Sequence, residues 1–377
     1  MSMKTTLKAS VAAAALFAVS APVVSSPAEA GLANGNDNGV VISGTLARSL
    51  QYVDNGQANA WVHADGSTDN SRLRILVSGQ LTESIKVGGT WESDFNLTND
   101  ASTTNSTGTT EVTVAGGGAA AFGLRVTDIK FTHATMGSLS IGRGSNASDN
   151  KKSLDSTMNN NAGMSSGGKM LVYDKTALAA TAVTAGDQFT SYFGGKSDRL
   201  RYDTPSIGGF VASASIAGGN FWDAGLTYGA TYGDVAVAAS AQIRHTGATT
   251  ESETAGASIA LKHASGLSAG FHTGKEYGVG SSSATAVEGE SWGVEAGYTT
   301  SAMSNLGATS FNVVYTESDE ATLDLYEAEV VSFHFKQSMP AGVDVIATYE
   351  VASFDDGAAA TSLDDVSVFL LGTRLSF

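Results

Sequence analysis

The chain has 377 residues, a formal net charge of −16, no cysteine and a mean hydropathy of +0.00. That balance excludes a disulfide scaffold, cysteine metal sites and the basic footprint of a nucleic-acid binder. Only 4 prolines stand against 44 glycines, as suits a chain made mostly of paired strand, because proline cannot donate to a ladder.

Residues 1–30 read as an export signal. Lys4 and Lys8 make a positive start, Val11 to Val19 is an apolar stretch too short to span a bilayer, and Ala28-Glu29-Ala30 is an A-x-A cleavage site. The mature chain is expected to begin at Gly31. Past that point no apolar run approaches the roughly 18 residues of a membrane helix. Two classes remain: a secreted soluble β protein, and a membrane barrel whose half-polar strands escape hydropathy scans.

Period-two alternation predicts strands near 39–52, 70–79, 84–95, 122–133, 137–143, 197–204, 208–217, 222–231, 234–244, 253–263, 267–275, 290–299, 307–316, 327–337, 342–351 and 366–377. In Val235 to Arg244, Val235, Val237, Ala239, Ala241 and Ile243 share one face, while Ala236, Ala238, Ser240, Gln242 and Arg244 share the other. Ser291 to Thr299 and Ala341 to Glu350 repeat the pattern, with Ile346 an exception on its polar face. Sixteen strands, an even number, let an antiparallel sheet close with both termini on one side.

Connections alternate in length along the chain. Short turns such as His263 to Gly266 and Ser338 to Ala341 are interleaved with long polar loops such as Asn96 to Gly118 and Glu276 to Glu290. Trp292 and Tyr298, at opposite ends of one apolar face, suit two aromatic girdles at the membrane interfaces. A soluble sandwich would need apolar surface to pair off, yet the second face of these strands is Gly, Ala, Ser, Glu and Arg. The expected architecture is therefore an all-β, transmembrane, antiparallel up-and-down barrel of about sixteen strands. The closing strand is FLLGTRLSF, residues 369 to 377, with Phe369, Leu371, Thr373, Leu375 and Phe377 toward lipid and a pairing to the strand around Gly39 to Tyr52.

Several stretches resemble the general porins of the Gram-negative outer membrane, the sixteen-stranded trimeric family. They are Asn70 to Gly79, Gly137 to Arg143, the hairpin Arg199 to Phe210, the hairpin Phe333 to Glu350 and the terminal Phe377. The match departs at NSRLRILVSGQLTES, which lacks the family's first periplasmic turn. The resemblance implies a homotrimer in outer-membrane lipid and lipopolysaccharide, with both termini periplasmic. It also implies that Phe369, Leu371, Leu375 and Phe377 form the signal read by the barrel assembly machinery.

A channel needs a hole of set width lined by set charges, with no nucleophile. The longest non-strand segment, residues 144–196, follows the fifth strand, and the resemblance implies that it is the constriction loop folded into the lumen. It carries Asp149, Asp155, Asp174 and Asp187. Arg72, Arg74, Arg199 and Arg201 fall on the polar faces of the second and sixth strands and are the expected pore-lining basic wall. Arg143 shares parity with Leu139 and Ile141 and ranks below them.

Acidic clusters at Glu317 to Glu320 and Asp364-Asp365 read as solvated loop tips ahead of divalent-cation sites. The six histidines lack ligand spacing, and the glycine runs lack a strand-to-helix context. The expected function is passive diffusion of small hydrophilic solutes and ions, with no catalytic residue, cofactor or metal. The alternatives are a substrate-specific channel, an outer-membrane barrel enzyme such as a lipase, and an adhesin.

Overall fold

The computed structural model describes residues 38–64, 71–96, 101–106, 109–114, 121–150, 171–175, 179–185, 189, 192–247, 251–277, 288–319, 327–355 and 362–377. The expected signal at 1–30 lies outside them, as do Asp155 and Asp187.

Among the described residues twenty-one strands run in chain order. They are β1 Gly39–Asp54, β2 Asn59–Ala64, β3 Arg72–Thr82, β4 Ile85–Asn96, β5 Ala101–Ser106, β6 Thr109–Val114 and β7 Ala121–His133. Next come β8 Gly137–Ser145, β9 Leu171–Asp174, β10 Ala179–Thr184, β11 Lys196–Asp203, β12 Phe210–Ala217, β13 Trp222–Tyr232 and β14 Val235–Gly247. The last are β15 Glu251–His263, β16 Leu267–Tyr277, β17 Glu290–Thr300, β18 Thr309–Asp319, β19 Glu327–Met339, β20 Val343–Asp355 and β21 Val366–Ser376.

Seventeen of these form one antiparallel sheet that closes on itself, β21 pairing with β1 from Thr45 opposite Ser376 to Asp54 opposite Ser367. On its other edge β1 pairs with β3 through Gly39 to Thr45 and with β2 through Ser49 to Asp54. Strands β2 and β3 thus share one place in the wall, which makes a barrel of sixteen positions. Those positions are the sixteen expected strands with their ends moved by a few residues. The short segment Asn59–Ala64 was not expected, nor were the hairpins β5–β6 and β9–β10 inside the long connections.

Because side chains alternate along a strand and cross-strand partners share a face, one parity propagates around the barrel. Outward positions carry exposed Leu46, Leu50, Ile129, Ile141, Leu226, Ile243, Phe271, Val313, Phe333, Phe369, Leu371, Leu375 and Phe377. Inward positions carry Ser49, Gln51, Ser140, Ser215, Ser240, Gln242, Ser258, Asn312 and Thr348, all buried. An apolar band this continuous on the outside suits lipid and not water.

Aromatic pairs mark both ends of the band. Tyr52 and Trp61, with ring centroids 5.3 Å apart, and Trp292 and Tyr315, also at 5.3 Å, lie toward the long-loop rim. Phe210 with Tyr228 at 4.5 Å and Phe311 with Phe335 at 5.5 Å lie toward the tight-turn rim. That rim includes the turns between β3 and β4 and between β15 and β16, the latter at His263 to Gly266. The long-loop rim is less uniform than expected, since β1 and β2 are joined there by only Asn55 to Ala58.

The inner face is not polar throughout. Val53, Val62, Val366 and Val368 form a buried apolar cluster with Ala60 and Phe354 beside it, and Ala47, Ile346 and Leu370 form a second. Ile346, the exception to its strand's pattern, is one of these inward apolar residues.

Candidate channel lumen

After β8 the chain leaves the wall and crosses its inner face. Ala147 N donates to Ser215 Oγ at 3.0 Å and to Asp223 Oδ1 at 3.3 Å, and Ser148 N donates to Asp223 Oδ2 at 2.9 Å. Ser148 Oγ and Ser215 Oγ also donate to this carboxylate, which is only 1 % exposed. The approach is so close that a Cβ on Gly225 would lie 2.4 Å from the Ala147 carbonyl oxygen. Farther along, Tyr192 covers Gly274 of β16, where a Cβ would lie 2.5 Å from the tyrosine Cβ.

The described parts of the same connection also reach the opposite side of the barrel. Ala185 is buried in the Val53, Val62, Val366 and Val368 cluster, and the rings of Phe189 and Phe354 are 6.4 Å apart. Lys175 Nζ pairs with Asp364 Oδ1 at 2.8 Å, and Asp364 N donates to the Tyr173 carbonyl at 2.8 Å. A hydrogen bond with Asp364 is the main reason the Lys175 ammonium is held above the ordinary lysine value. Burial, followed by the charges of Glu276, Glu290 and Asp319, pushes the Tyr192 phenol above its ordinary value, so that side chain is a neutral hydroxyl.

The four expected wall arginines divide into two kinds. Arg74 faces inward with its side chain 37 % exposed, and its Nε donates to Glu92 Oε2 at 2.7 Å. Arg72 has the same parity, opposite Thr45 and Asp94. Arg199 and Arg201 also point inward, but they lie beneath the root of the inward segment.

Arg199 is 4 % exposed; it pairs with Asp128 Oδ2 at 3.0 Å and donates to the carbonyls of Ser145 and Gly142, each at 3.0 Å. Arg201, 19 % exposed, pairs with Asp203 at 2.7 Å and donates to the carbonyls of Ser145 at 3.1 Å and Asn146 at 2.7 Å. Parity placed both arginines inward, and both are bound to carbonyls at the root of the inward segment.

Arg125 was missed because its parity matches outward Thr127 and Ile129. The register shifts at Glu92 and Ser93, which pair with Val126 and Leu124, leaving Arg125 as an extra residue on β7. A bulge of this kind re-aims a side chain. Arg125 Nε donates to Glu92 Oε1 at 3.0 Å and its Nη1 lies 3.7 Å from Asp94. Arg72, Arg74 and Arg125 thus gather around Glu92 and Asp94.

Of the loop acids, Asp149 lies 3.8 Å from Lys196 Nζ. Asp174 joins Leu363 through a single β-bridge beneath the long-loop rim. Arg143 stands opposite Asp198 with outward parity. Phe369, Leu371, Leu375 and Phe377 are exposed along the outer face of β21. Among the described residues no cluster of His, Asp and Glu could hold a metal ion.

A closed sixteen-place β-barrel with an apolar exterior and a polar interior crossed by its own chain defines an outer-membrane channel architecture. The sequence matches the Gram-negative porin family over residues 9–357, and the chain belongs to that family. Its strands make it a multi-pass outer-membrane barrel.

No curated relative matches the chain by sequence. Among solved structures it is similar to the anion-selective porin of Comamonas acidovorans, at 12 % identity and a TM-score of 0.59, covering 90 % of this chain and 100 % of that one. It is also similar to OmpT, an outer membrane protein of Vibrio cholerae, at 15 % identity and TM-score 0.58, covering 91 % and 98 %. The outer membrane channel DcaP of Acinetobacter baumannii, at 14 % identity and TM-score 0.58, covers 93 % and 100 %. At these identities the likeness is one of fold.

Proposed function

We propose that this porin is a water-filled channel for passive diffusion of small hydrophilic solutes and ions, and not an enzyme. The observation that carries the reading is the polar inner wall spanned by the segment between β8 and β11, tied to Asp223 on one side and packed on Val53 and Val368 on the other. Sixteen strands leave an aqueous bore, and a segment crossing it narrows it.

In this reading residues 144–196 are the constriction loop, with Asp149, Asp155, Asp174 and Asp187 as its acids. Arg72 and Arg74, joined by Arg125, make the basic side of the constriction. Arg199 and Arg201 brace the root of the loop. Residues 1–30 are removed on export, both termini face the periplasm, and Phe369, Leu371, Leu375 and Phe377 are read by the assembly machinery. The apolar exterior meets lipid and lipopolysaccharide. The protein assembles as a homotrimer, a reading supported by the similar Vibrio cholerae OmpT structure described as a trimer form.

The test is single-channel recording of the mature protein in a planar bilayer under a potassium chloride gradient. Large ohmic openings that close in three steps are expected, and the reversal potential gives the sign of selectivity. Folded protein that carries no current would end the channel reading.

A further inference from the structure

On the inner face of β13 to β16, away from the arginine cluster on β3 and β7, several buried polar side chains have atoms without partners among the described residues. Gln242 and Arg244 are neighbours on the inward face of β14. Thr254 on β15 stands opposite Arg244, and Glu276 on β16 stands opposite Thr254. Gln242 is flanked by Gly225 and Gly256, and Gly274, opposite Gly256, lies under Tyr192.

Tyr192 is 1 % exposed, Thr254 3 % and Gln242 4 %. The Tyr192 hydroxyl, Thr254 Oγ1, both amide atoms of Gln242 and Arg244 Nε nevertheless all have no hydrogen-bond partner among the described residues. Buried polar atoms in native proteins are nearly always paired, so a group of five in one place calls for an occupant.

Ordered water could satisfy hydroxyls and an amide. The charge pattern asks for more than water. Arg244 makes no ion pair among the described residues, although the fields of Glu276 and Asp223 reach it. Asp223 is already committed to Ala147, Ser148 and Ser215. Glu276 therefore faces Arg244 across Thr254, two strand spacings or about 10 Å of backbone away. One end of this surface is rich in donors, from Arg244, Thr254 and the Gln242 amide, and the other end is the Glu276 carboxylate, whose field reaches the Tyr192 phenol.

We propose that this part of the wall is a subsite for small zwitterionic solutes of the amino-acid type. The solute carboxylate is met by Arg244 with Gln242 and Thr254, and its ammonium faces Glu276 with the Tyr192 hydroxyl on that side. Guanidinium and carboxylate make charge-assisted hydrogen bonds with such groups, and a neutral solute of the same size forgoes them. The proposal rests on the diffusion-channel reading and gives that channel a preferred class of cargo.

The experiment uses the full mature protein in a planar bilayer in potassium chloride, with L-alanine as probe and lactamide as its uncharged counterpart. L-alanine should raise the open-channel current noise saturably, and lactamide should not. Arg244→Gln and Glu276→Gln should each weaken the apparent L-alanine affinity about tenfold, while potassium chloride conductance stays within about twofold. Thr254→Val, nearly isosteric, should weaken it to a smaller extent and guards against a folding defect in the charge variants.

Ohmic openings without a saturable L-alanine effect would overturn the subsite and leave the channel standing. Equal effects of L-alanine and lactamide, or an undiminished effect in Arg244→Gln, would also overturn it. Absence of any opening would bring down both readings.

Discussion

Phe377 and Gly44 close the barrel: Phe377 N donates to the Gly44 carbonyl at 3.0 Å, and Gly44 N donates to the Phe377 carbonyl at 2.8 Å. The terminal ring lies over the glycine, where a Cβ would sit 2.6 Å from Phe377 Cζ and 2.5 Å from the Arg72 carbonyl oxygen. The ring can move but the Arg72 backbone cannot without disturbing β3. Gly44→Val should therefore destabilise the barrel by about 1–3 kcal/mol, the range for overpacking a tight site. A lowered unfolding temperature and a smaller fraction of the compact form on unheated gels would register it.

The Arg199 and Asp128 pair braces the fold from beneath the loop root. Removing one partner strands the other in a covered site, so Arg199→Ala should cost about 3 kcal/mol of stability. Denaturant unfolding would measure it. Ion selectivity should change little if Arg199 stays out of the bore, and a large shift in reversal potential at intact stability would contradict its placement.

Arg72 and Arg74 behave differently because Arg74 is partly open to the lumen. Changing both to Ala leaves Glu92 and Asp94 facing Arg125 alone, and the reversal potential should move toward cations. Glu92 is 2 % exposed, so some loss of stability should accompany the shift. An unchanged reversal potential would remove both arginines from the constriction.

Asp223 holds the near end of the inward segment through Ala147, Ser148 and Ser215. Hydrogen bonds to a charged acceptor contribute about 1.5–3 kcal/mol each, and an amide keeps only part of them. Asp223→Asn should loosen the segment, raising single-channel conductance and its fluctuation while lowering the unfolding temperature. Conductance identical to the native channel would show that the segment is held elsewhere.

The far end is clipped by Lys175 and Asp364. Because the lysine value is raised, the ammonium's contribution is fully present below the ordinary lysine range and is lost as pH climbs through the raised value. Conductance attributable to this clip should be flat on the alkaline side up to about pH 10. Lys175→Gln should reproduce at neutral pH whatever change strong alkali causes, which paired pH titrations of conductance would show.

Strand count, face parity and the closing strand were legible because period two is a local property. Val235 to Arg244 declares its two faces with no knowledge of its neighbours, and so does the stretch ending at Phe377. The Asn59–Ala64 segment was not legible. Six residues next to a polar stretch carry too little alternation, and their strand geometry comes from pairing with Ser49 to Asp54 of β1.

Parity could also say that Arg72, Arg74, Arg199, Arg201 and Arg244 point inward, since alternation along a strand follows from the backbone itself. It could not say which of them meet the bore. That depended on where a distant segment lies: the Ser145 and Asn146 carbonyls hold Arg199 and Arg201, a register shift at Glu92 turns Arg125 inward, and Tyr192 packs on Gly274. Burial and pairing are properties of residues far apart in the chain, and only the closed barrel with its own chain inside brings them together.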